Sequence, residues 1–150
     1  MTVLTQTLGD ITDYFADAIE GGVAHRGVDA TTLAAVIALL TDIRTQYTAH
    51  NTNNGGEYHS NTGINPVTEP VPIELGTAIA LAKDLKTVLN AHMASIISAG
   101  SHYEADTTNT ITATSDISTL NETVTLANAL RTGYEAHRAS EDPHTQGAPQ

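Results

Sequence analysis

A mainly α-helical fold, a small bundle of about four helices built from three helix-plus-long-loop repeats, is what the sequence predicts. Three observations lead there. Apolar residues recur at helical offsets ahead of an Ala-His dipeptide, this phrase is written three times, and polar chain rich in Asn, Thr, Gly and Pro follows the first two copies. The chain is expected to form one domain, residues 1–150, with an N-terminal helix at about 10–20 and repeats at about 31–59, 74–106 and 118–144.

In chain order, the first element is a short helix over 10–20, with Ile11, Phe15 and Ile19 on one face and Gly21-Gly22 ending it. The three repeat helices then align on their histidines. Leu39, Leu81 and Leu126 form one column, Ile43, Leu85 and Leu130 the next, then Tyr47, Leu89 and Tyr134, and finally His50, His92 and His137. Offsets of four, four and three trace one helix face. Arg44, Lys86 and Arg131 form a basic column beside this stripe, where positive charge suits the helix dipole. Thr31 and Thr32 can cap the first repeat helix, Pro72 with Glu74 suits the entrance of the second, and Thr119 to Glu122 has capping-box form before the third. The apolar stripe of the second is expected to continue to Ile96.

Between the helices, residues 108–114 alternate apolar residues with Thr in a pattern compatible with a short strand or hairpin. The long loops read as contact surfaces, because loops of this length are uncommon in compact domains unless functional or ordered by a partner. Each copy holds one long helix instead of a pair, so a compact antiparallel bundle is expected over an open solenoid.

Composition excludes several functions. With 17 acidic and 6 basic residues the net charge is -11, which repels nucleic acid and anionic membrane surfaces. The surface is threonine-rich, and the only lysines are Lys83 and Lys86, a balance suited to high salt. Absence of cysteine excludes disulfides, thiolate metal sites and thiol catalysis. No secretory signal is visible at the start, and the longest apolar run, Leu33 to Leu40, falls far short of a membrane span, so a soluble protein is expected. G-x-S-x-G, P-loop, G-x-G-x-x-G, HExxH and Glu-x-x-His patterns are all missing, and no catalytic residue or cofactor is expected.

The histidines carry the one chemical alternative. Each copy pairs a helix-end histidine with one in the following chain: His50 with His59, His92 with His102, and His137 with His144. Structural packing is the first reading, with the helix histidine extending the apolar stripe and hydrogen-bonding a backbone carbonyl. The second is a metal-binding or catalytic bundle, in which imidazoles and the acidic or amide groups that follow them, as in "HYEAD", could meet around Zn²⁺, Ni²⁺ or another divalent ion, for which neutral imidazole is the common nitrogen ligand.

The phrase L-x-x-x-L-[RK]-T-x-[YL]-x-A-H, with its later histidine and the segment "EADTTNTIT", resembles a repeat in virion structural proteins of tailed bacteriophages and prophages. The resemblance covers residues 33–144 and is closest in the middle copy; the first copy has "SNTGINP" in place of "ADTTN", and the third stops at "HTQGAPQ". It implies a non-enzymatic component of a tailed-virus virion: a capsid decoration or cement protein, or a collar or head-tail junction component. Made in the host cytoplasm, it would join major capsid, neck or tail proteins and copies of itself. The acidic, lysine-poor composition adds a halophilic host, a haloarchaeon, to this expectation.

Overall fold

The computed structural model describes residues 29–52, 64–96, 102 and 104–140. Among them are three helices, α1 (Leu33–Asn51), α2 (Leu75–Met93) and α3 (Leu120–Ala139), each packed against the other two. A small helical bundle is therefore what this sequence builds. The helix expected over 10–20 lies outside the described residues.

Helix starts are set by local hydrogen bonding. The Thr32 hydroxyl accepts from the Ala35 amide at the start of α1. At α2 the Thr77 hydroxyl reaches back to accept from the amides of Ile73 and Glu74. At α3, Thr119 and Glu122 form the expected capping box. Backbone and hydroxyl hydrogen bonds from Ser118 and Thr119 hold the Glu122 carboxyl below its usual range.

The three aligned columns Leu39–Leu81–Leu126, Ile43–Leu85–Leu130 and Tyr47–Leu89–Tyr134 are each no more than 1% exposed and form the core. Equivalent residues of the three copies thus belong to one hydrophobic cluster. The hydroxyl of Tyr47 donates to the carbonyl of Asn65 at 2.7 Å, and its ring lies edge-on to Tyr134 and His92. Burial pushes the Tyr47 and Tyr134 hydroxyls well above their ordinary range, so both remain phenols.

His50, His92 and His137, in the last turns of α1, α2 and α3, have ring centroids 5.1, 5.3 and 5.5 Å apart, so the packed helices run in the same direction and the antiparallel arrangement expected from the repeat does not form. The connecting segments are long because they must travel back along the bundle. The segment before α2 descends past Tyr47 at Asn65, past Arg44 and Asp84 at Glu69, and reaches Thr77 at Ile73 and Glu74. Asn65, in the left-handed region with φ of 60°, makes the turn into this descent. The segment before α3 descends similarly, from Met93 at Asp106, past Asn90 at Ile111 and Lys86 at Ala113, to Glu122 at Ser118 and Thr119.

Three details differ from expectation. Residues 108–114 form no strand. Ile111 is buried and Thr112 exposed, as alternation requires, but the backbone pairs with helix side chains: Asn90 both donates to the Ile111 carbonyl and accepts from its amide. The basic column does more than lie near helix ends. Arg44 holds the carbonyl of Glu69, Lys86 that of Ala113, and Arg131 the carboxylate of Asp29 at 2.8 Å, so each pins a descending segment. Finally, α2 ends at Met93, and Ile96 is 43% exposed beyond the core.

The third pinning contact closes a ring. Arg44 and Lys86 each hold the segment that follows their own helix, whereas Arg131 holds the segment preceding α1, where Asn128 also pairs with both backbone groups of Ala30. The three repeats surround one axis.

Candidate metal centre

Shared direction places the C-terminal ends of α1, α2 and α3 together, and each carries its histidine there: His50, His92 and His137. The Nε2 atoms of His50 and His92 are 3.1 Å apart. His102, from the chain after α2, enters the same space with its ring centroid 4.3 Å from that of His92 and 4.8 Å from that of His137. One nitrogen from each of the four imidazoles lies within 4.8 Å of all the others.

The histidines were expected to pair within copies. His92 and His102 do meet, but the dominant association is between copies, through the three helix-end residues. His59 and His144, the remaining candidates from the repeat, lie outside the described residues.

A hydrogen bond orients one ring. His137 Nδ1 is 2.9 Å from Asp106 Oδ2, with both residues buried. The carboxylate fixes the proton on Nδ1 and so leaves the Nε2 lone pair for another partner, the arrangement that commonly supports a metal-ligating histidine. Asp106 is itself held by several contacts. Its Oδ1 accepts from the amides of Thr108 and Asn109, its Oδ2 accepts from the Asn109 side chain, and its amide donates to the Met93 carbonyl. Burial pushes the Asp106 carboxyl up, but the hydrogen bonds from Asn109 and His137 outweigh it and hold the group below its usual range.

These contacts give the "ADTTN" segment a physical role: it is a turn that presents a carboxylate to His137. Asp106 was not singled out as a site residue by sequence reasoning. The Asp-x-x-Asn spacing that makes the turn was visible, but nothing local indicates that the turn faces a histidine 31 residues later.

The electrostatics favour a cation. Three helices direct their C-terminal partial negative charge toward the same region, and the Asp106 carboxylate lies behind one imidazole. For a tetrahedral zinc ion with bonds of about 2.0–2.1 Å, nitrogen ligands stand about 3.4 Å apart. The His50–His92 distance is near this edge, and the four nitrogens lie within 4.8 Å of one another. The donor set is four imidazole nitrogens, which suits Zn²⁺ and its borderline neighbours Co²⁺, Ni²⁺ and Cu²⁺ and disfavours Mg²⁺ or Ca²⁺, which take oxygen.

Comparison of the chain with protein-family models, curated proteins and solved structures finds no match in any of the three. No helix among the described residues is long and apolar enough to cross a membrane.

Proposed function

We propose that this protein is a non-enzymatic structural module whose three repeats are fastened by one divalent transition-metal ion, with Zn²⁺ the best fit, held by His50, His92, His102 and His137. The observation that carries this reading is the convergence of four imidazoles from three helices and one loop, with Asp106 orienting His137. Four protein ligands fill a tetrahedral zinc ion, which is the composition of a structural site. Such an ion joins segments distant in sequence and contributes its binding free energy to folding. Packing and metal binding are compatible roles for the same histidines, since the rings also complete the apolar end of the core.

The test is the metal content and melting temperature of the purified full chain. One equivalent of zinc per chain is expected after supply of the metal, with a melting temperature that falls in excess chelator and returns on zinc addition. A chain that takes up no transition metal and melts identically with and without chelator contradicts the metal reading.

The resemblance to tailed-virus proteins supplies the setting: a decoration, cement, collar or head-tail junction component, exposed to the medium on a particle. A metal-fastened bundle with an acidic surface suits that use, where a small domain must persist without disulfides. Its partners would be other virion proteins and copies of itself. Mass spectrometry of purified particles is expected to find the protein in the virion, and its restriction to infected-cell lysate would remove this assignment.

A further inference from the structure

The four imidazoles differ in burial and in spacing. His92, His102 and His137 are fully buried, while His50 is half-buried. Ring centroids among the buried three are 4.3, 4.8 and 5.3 Å apart. His50 stands 5.1 Å from His92, 5.5 Å from His137 and 6.4 Å from His102, and is the outlying member. His137 is fixed by Asp106, the chain following His102 is tied to α2 through the Asp106 amide and Met93 carbonyl, and His92 packs edge-on against Tyr47. His50 is the next-to-last residue of α1, as His92 is of α2, so its partial exposure, and not its place in the helix, sets it apart.

Resting on the metal reading above, the geometry points to a centre with three fixed ligands, His92, His102 and His137, and one exchangeable ligand, His50, whose position at the metal can be taken by a small exogenous nitrogen donor such as imidazole or azide. Three protein imidazoles suffice to retain zinc with an open fourth position. His50 leaves with its lone pair as the incoming donor supplies another, so the coordination number and the charge of the ion are unchanged when the newcomer is imidazole. The ligand that departs is the only one of the four that is not fully buried. The same exchange would loosen the end of α1 while the other two helices stay fastened, making α1 the adjustable member of the bundle.

The experiment uses the full chain loaded with Co²⁺, whose visible absorption reports coordination number and donor set, in wild-type, His50→Ala and His92→Ala forms. His50→Ala is expected to retain one Co²⁺ per chain, bound more weakly than by wild type, because three protein imidazoles remain. Added imidazole should then bind this variant saturably and return the four-nitrogen spectrum of wild type. His92→Ala should abolish stoichiometric binding. If His50→Ala loses cobalt as completely as His92→Ala, or if its cobalt spectrum is indifferent to imidazole, the exchangeable-ligand inference is overturned while the metal reading stands. If wild type itself takes up no cobalt, the metal reading fails and this inference with it. The imidazole titration decides the matter within one variant, so misfolding of His92→Ala does not obscure the result.

Discussion

Asp106 joins the two uses of its turn: its carboxylate caps the amides of Thr108 and Asn109 and also orients His137. Asp106→Asn keeps the size of the side chain but removes its charge and half of its accepting capacity. Zinc affinity is expected to fall about 10- to 100-fold, measured by competition with a chromophoric chelator. An unchanged affinity would mean that the contact serves only the turn. At this scale the sequence was partly legible. The helix-end histidines were identifiable because each continues a helical stripe, and His102 because it recurs after the second copy. The acids that follow His102 in "HYEAD" were legible as company for an imidazole, but the Asp106–His137 contact was hidden, since it depends on the return path of the chain.

Gly133 shows how an element accepts a local penalty for a distant contact. Glycine inside a helix costs about 1 kcal/mol relative to alanine, yet it lies well within α3. A methyl group there would stand 2.7 Å from Cγ1 of Ile111 and 3.3 Å from the carbonyl oxygen of Asn109, so the descending segment could not lie against the helix. Gly133→Ala is therefore expected to destabilise by about 1–3 kcal/mol despite its better helix propensity, measured by urea unfolding. The loss should be smaller in an Ile111→Ala background, where the obstructing atom is gone. Helix existence and caps were legible because periodicity and capping are local. The strand expected over 108–114 does not form; what remains of the pattern is alternating burial, with Ile111 buried between exposed Thr110 and Thr112. The partner of this segment was not legible: backbone groups can be satisfied on a neighbouring strand or, as here, on Asn90 and Lys86 of a helix.

For the molecule as a whole, the acidic surface sets the response to salt. A net charge of -11 on 150 residues is self-repelling at low ionic strength, and screening relieves this. The melting temperature of the full chain is expected to rise from low to molar salt, read by circular dichroism with metal content held constant. A flat or falling curve would argue against adaptation to a saline medium. Helix direction was the main global feature misread. Equivalent histidines at three helix ends can meet only if the helices share a direction, and the long segments between them have the reach to return along the bundle. The repeat and the loop lengths held this information jointly, whereas either alone is compatible with an antiparallel arrangement.

The shared direction of the three helices also bears on how the chain folds. Antiparallel helices can dock as hairpins soon after their short turn forms, but here no two successive helices can pair until a long segment has turned back. The contacts that close the bundle are correspondingly remote: 42 residues separate His50 from His92, and 102 separate Asp29 from Arg131. Loop-closure entropy must be met before these contacts contribute, so a protein that is helical by content acquires the high contact order, and the slow assembly, more usual for β-rich chains. The Asp29–Arg131 contact joins the beginning of the described chain to its final helix, so it cannot form before α3 has been synthesised.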